Sequence, residues 1–200
     1  MNSLRFFSFF FLGMLLWSAC GSDPVYVPKP RAYPKVMFPK RAYQTFEKDY
    51  CQCSFKYPVY SEVVKDTLFF NQKPVNDCWF DLVIPQFNAR IHCSYYPISA
   101  DSPLDKLRDD AFKMASKHAA KATFMEERKL KNEHDVSGFV FNIEGPAASP
   151  FQFFLTDEDK HFLRGSLYFN NTPEPDSLAP IIDFVKYDIT QMIQTFEWTD

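Results

Sequence analysis

The sequence predicts an α+β domain in which one antiparallel β-sheet is flanked by helices. Short apolar runs at 79–84, 89–96, 124–130, 136–143, 151–156 and 161–169 are bounded by turn residues. Most of the connections between them are too short for the crossover that parallel neighbours require, so the strands should pair antiparallel. Two other stretches, near 102–122 and 177–196, carry apolar residues at three- and four-residue spacing, the mark of amphipathic helices.

The chain opens with a secretory layout. Arg5 gives a thin positive region, Phe6 to Trp17 are almost entirely apolar, and the small residues Ser18 and Ala19 precede Cys20. The apolar run is shorter than the roughly 20 residues a membrane-spanning helix needs. Residues 1–19 therefore read as a signal peptide, and a cysteine at the cleavage point reads as a lipidation site. An acylated Cys20 would be the mature N-terminus. Each acyl CH₂ buried in the bilayer contributes about 0.8 kcal/mol, so several chains on one thiol make a durable anchor.

Residues 20–42 follow as the lipid anchor and a proline-rich tether, with Pro24, Pro28, Pro30, Pro34 and Pro39. Proline fixes φ and removes a donor, which disfavours helix and central strand. Such a segment extends at ~3.1 Å per residue. Tyr26, Tyr33 and Phe38 suggest that part of it lies back on the domain.

The folded body should span residues 43–200 as one domain. Residues 53–57 read as a strand stopped at Pro58, and 62–64 as another. Residues 79–84 and 89–96 form a hairpin around Pro85, Gln86, Phe87 and Asn88. A helix then begins with Ser102 as N-cap, Pro103 at its first position and Asp105 completing a capping box. Its apolar face is Leu104, Leu107, Ala111, Met114 and His118, and it ends near Ala122. Bulky Phe139, Phe141 and Ile143 alternate with an apolar Val140, which suggests a strand covered on both sides. A last helix starts near Ser177, with Pro180 in its first turn and Ile181, Val185, Ile189, Met192 and Phe196 as its stripe.

Loss of Arg5 with the signal leaves 21 Lys and Arg against 25 Asp and Glu, a net charge of −4. That mild acidity argues against nucleic acid or anionic lipid as a partner. Outside the cytoplasm the remaining cysteines, Cys51, Cys53, Cys78 and Cys93, suggest disulfides, and three connectivities are possible. Cys51 and Cys53 would point to one side of a strand and reach two neighbouring partners, which favours Cys51–Cys78 with Cys53–Cys93. C-x-C followed by two single cysteines is a poor zinc pattern, so no metal is expected.

No catalytic constellation stands out. There is no G-x-S-x-G, no H-E-x-x-H and no phosphate-cradling loop, and the five glycines leave little material for one. His92, His118, His134 and His161 are scattered, and Asp157, Glu158 and Asp159 read as a solvated turn rather than a calcium loop. The expectation is therefore no enzyme, no cofactor and no catalytic residue. Trp198, at the end of the last helix, is a candidate partner-contact aromatic, against a simpler role capping the core.

Several stretches carry a family resemblance. They are Tyr33 to Val36 through Pro39, Phe55 to Tyr60, Cys78 to Leu82, His161 to Asn170, Asp176 to Pro180, and Thr195 to Trp198. With the lipobox, they resemble the gliding motility lipoprotein GldD family of the Bacteroidetes. The resemblance implies a role in gliding motility and the associated type IX secretion system, with other motility and secretion envelope proteins as partners. It implies cysteines matching Cys51 and Cys78, which supports that pair, and leaves Cys53 and Cys93 as additions consistent with a second bridge. The order of elements is also similar to PsbP/Mog1-type α/β/α sandwiches, a likeness of fold alone. Asp66-Thr67-Leu68 and Asp176-Ser177-Leu178 look like the O-glycosylation signal of Bacteroidetes envelope proteins, marking Thr67 and Ser177. The expected location is the cell envelope, lipid-anchored on the periplasmic face of the outer membrane. An envelope enzyme using His92 or His161 with nearby acids, or a small-molecule binding module, is the alternative.

Overall fold

Ten strands and two helices are present among the residues that the computed structural model describes, namely 35–66, 74–170 and 175–199. The strands are β1 (Tyr43–Glu47), β2 (Cys53–Pro58), β3 (Glu62–Lys65), β4 (Trp79–Ile84), β5 (Ala89–Pro97), β6 (Phe124–Lys131), β7 (Ser137–Glu144), β8 (Phe151–Thr156), β9 (His161–Phe169) and β10 (Glu197–Trp198). The helices are α1 (Leu104–Ala119) and α2 (Pro175–Gln194). Seven strands form one sheet in the order β3-β4-β5-β9-β8-β7-β6, with every neighbour antiparallel. A second sheet, β1-β2-β10, has three strands.

Side-chain alternation divides the large sheet into two apolar faces. Phe141, Phe154 and Phe162 receive Leu107, Ala111 and Ala115 of α1. Val140, Phe153, Leu155 and Leu167 face the other way, toward Val185, Ile189 and Met192 of α2 and toward Phe46 and Phe55 of the small sheet. The layers are therefore α1, the seven-stranded sheet, and a mixed layer of α2 with three strands. That last layer differs from a plain helical one because the small sheet brings together the start and the end of the described domain.

Two glycines mark close approaches. A Cβ on Gly138 would lie 2.0 Å from the Phe154 carbonyl oxygen, and one on Gly165 would lie 2.1 Å from the Phe153 ring. Phe153 is the direct cross-strand neighbour of Gly165, so its ring occupies the space that a side chain would fill.

Several element boundaries differ from the sequence expectation. Pro103, not Ser102, is the N-cap of α1, and no side chain caps it. The Ser102 amide is instead engaged in a reciprocal turn with Ser99, bonding its carbonyl and its hydroxyl. The α1 stripe runs through Ala115 and Phe112 rather than through a buried Met114. Helix α2 starts at Pro175, which places Pro180 beyond the first turn and Ser177 inside the helix. Phe196 and Trp198 lie past its end. The 85–88 turn is a 3₁₀ turn closed by Asn88 at φ 50°, a left-handed residue of the kind asparagine tolerates.

Candidate functional site

A sulfur cluster lies between the two sheets. Cys51 precedes β2, Cys78 precedes β4, and the two form a disulfide. Cys53 and Cys93 are buried free thiols. This corrects the second bridge expected from the sequence. Cys93 stands opposite Phe80 and Gly165 in the large sheet and Cys53 opposite Trp198 in the small one, and the two thiols remain unbonded in the core between the sheets. The sulfurs of Cys51, Cys53 and Cys78 lie within 4.8 Å of one another. Three close sulfurs would suit a soft metal only with the bridge reduced. Burial pushes the Cys53 thiol up to about 12 and the Cys93 thiol well above its usual value. Both are therefore poor nucleophiles at neutral pH.

A second constellation clamps the start of the domain to α2. Asp188 is 2% exposed, and its carboxylate accepts from the Tyr43 hydroxyl at 2.6 Å, from the Tyr60 hydroxyl, and from Arg41 Nε at 3.2 Å. The Arg41 guanidinium also lies 4.1 Å from the Phe184 ring centre and 4.4 Å from that of Tyr187. Upstream, Phe38 stacks on Phe184 at 4.7 Å, and the Gln86 side-chain amide donates to the Met37 carbonyl. Burial and then the Asp188 carboxylate raise both tyrosines well above their usual range. Sequence reasoning did not single out Asp188. Its signal was an acid set among the apolar positions Val185, Ile189 and Met192 of the last helix.

The α1 face of the large sheet holds a polar row. Asp81, His92, Ser166 and Gln152 are successive partners across β4, β5, β9 and β8. His92 Nδ1 lies 2.8 Å from Asp81, which also takes Arg90 at 3.2 Å. On the opposite face of the same sheet His161 bonds the Tyr95 hydroxyl at 2.7 Å and stacks on Trp198 at 4.9 Å. His118 faces Tyr168 and is lowered by burial and then by Arg164. His134 is half-exposed beside Glu197. The row places an acid, an imidazole and a hydroxyl in order, but Ser166 is 5% exposed.

Trp198 is part-buried in β10, opposite Cys53, and not at a helix end. Its ring packs against Phe196, His161 and Tyr95, so its apolar faces are occupied within the fold. Ser177 is exposed. Thr67 and Cys20 lie outside the described residues. A shallow groove of about 230 Å³ separates the edge strand β6 from α2, with Leu130, Val140, Phe151 and Ile193 as its apolar lining and Arg128 at its rim. No helix among the described residues is long and apolar enough to cross a membrane.

Comparison with known proteins places this geometry in context. A family model described as gliding motility lipoprotein GldD matches residues 23–198. No curated protein matches. Among solved structures, the chain is similar to the solution structure of cyanobacterial PsbP (CyanoP) from Synechocystis sp. PCC 6803. The TM-score is 0.46 at 12% identity, covering 90% of this chain and 98% of that one.

Proposed function

The chain belongs to the gliding motility lipoprotein GldD family, and from that premise we propose that it is a non-catalytic, lipid-anchored envelope subunit on which motility and secretion proteins assemble. The observation that carries the reading is the extent of the family match, residues 23–198. The site geometry is in keeping with it. The buried thiols are held protonated, and the most polar constellation, around Asp188, is spent on clamping the chain to α2. Cys20 carries the acyl anchor, residues 21–34 connect it to the domain, and the location is the periplasmic face of the outer membrane. Thr67 and the exposed Ser177 are the O-glycosylation positions.

Deletion should abolish spreading on agar and impair export of the adhesins, and Cys20→Ser should move the protein from the membrane to the soluble fraction. Normal spreading and export in the deletion strain would end this reading.

A second reading, an envelope hydrolase, is favoured by one observation: Asp81, His92 and Ser166 stand in register on three neighbouring strands. His92→Ala at unchanged protein level separates the two, since only an enzyme should lose its motility phenotype with that imidazole.

A further inference from the structure

Four large apolar side chains are exposed around the point where the described chain begins. Met37 is 78% exposed, Phe38 42%, Val59 50% and Tyr187 53%. They are contiguous. Phe38 rests on Phe184, Arg41 covers both Phe184 and Tyr187, and the Val59 amide donates to the Ala42 carbonyl at 3.0 Å. Exposed apolar groups gathered in one place mark an interaction surface rather than the scattered exposure every protein shows.

The patch is held rigid. Val36 packs on the core, Gln86 fixes the Met37 carbonyl, and Asp188 holds Arg41. The segment thus presents Met37 and the edge of Phe38 outward. Lys35 and Lys40 are exposed in the same segment, and Arg41 remains 37% exposed. The flanking elements contribute Glu62 and Asp183, and Asp188 neutralises Arg41, so the patch is close to neutral on a chain that is negative as a whole. Apolar tips among Lys and Arg are the composition of surfaces that settle at a bilayer interface, with the cations on headgroup phosphates.

Chain direction identifies the occupant. Residues 21–34 separate Cys20 from Lys35, at most about 50 Å of extended chain, and this patch surrounds the end of that connection. It is the part of the domain at which the connection to an anchor at Cys20 enters. We propose that the Met37, Phe38, Val59 and Tyr187 patch, with Lys35 and Lys40, rests on the phospholipid surface that carries the anchor. The proposal assumes the lipidated Cys20 of the preceding section. It gives the domain a fixed orientation, with the groove between β6 and α2 and the α1 face left for partners.

The full acylated chain is reconstituted into vesicles of phosphatidylethanolamine and phosphatidylglycerol containing a photoactivatable phospholipid. Sedimentation reports the anchor, and mass spectrometry of lipid crosslinks reports the docked face. Crosslinks should concentrate on the segment from Lys35 to Arg41 and on Val59 and Tyr187. Met37→Asp, at a site exposed enough to spare the fold, should cut them about tenfold, the effect of replacing one inserted apolar side chain by a charge, while sedimentation is unchanged. Sedimentation with crosslinks spread evenly, or centred elsewhere, overturns the docking and leaves the anchor standing. Failure of the wild-type chain to sediment overturns the anchor and the docking with it. Crosslinking in cells that joins the patch to a protein, with no lipid adducts there, assigns the surface to a protein and overturns the proposal.

Discussion

At the scale of single residues, Asp188 organises more of this molecule than any cysteine or histidine that the sequence puts forward. One buried carboxylate satisfies two tyrosines and an arginine drawn from the β1 and β2–β3 regions. Tyr43 and Tyr60 keep their protons in the fold because burial first, and the neighbouring carboxylate second, disfavours the phenolate. The sign follows from linkage. The unfolded chain loses these protons near pH 10 and the folded chain does not, so stability is level below that pH and falls as pH rises above it. The slope cannot exceed about 1.4 kcal/mol per pH unit for each tyrosine, the limit for a single proton. Denaturant titrations between neutral and alkaline pH should show this fall, and Tyr60→Phe should reduce its slope. The pattern of apolar spacing could have flagged Asp188, but nothing local says that its partners lie more than a hundred residues upstream.

At the scale of elements, the large sheet was legible wherever the local signal was strong. The limits of β8 and β9 coincide with their apolar runs, and the 85–88 turn sits where Pro85 and Asn88 require it. The misses have physical causes. Strand β10 has two residues, too few for any period to show, and Phe196 continued the spacing of Ile189 and Met192, so it read as helix. Ser102 has the residue type of a cap, yet Ser99 competes for its backbone. The pairing of β9 with β8 depends on a detail finer than patterning, since the Phe153 ring lies over Gly165. Gly165→Ala should therefore displace a fully buried ring and destabilise by about 1–3 kcal/mol. Urea unfolding would read the change, and a shift within a few tenths of a kcal/mol would mean that the ring moves freely.

At the scale of the whole molecule, the Cys51–Cys78 bridge ties the start of the small sheet to the large one across a sequence separation of 27. Closing a loop of that size restricts the unfolded chain, and its loss should cost about 3–4 kcal/mol. The double variant Cys51→Ala, Cys78→Ala should unfold at correspondingly lower urea concentration, and reductant should then have no further effect. The candidate site was less legible than the fold because it is assembled from distant segments: the polar row spans four strands, and the clamp joins Arg41 to a helix near the C-terminus. The same distance governs the small sheet. Its centre strand β2 is flanked by β1 from the beginning of the domain and by β10 from its last residues, and Phe196 in between is fully buried against Phe55. For a chain that emerges N-terminus first, this means that emergence and maturation are not simultaneous. The leading segments must wait, with β2 lacking one partner, until Glu197 and Trp198 are available to complete its ladder.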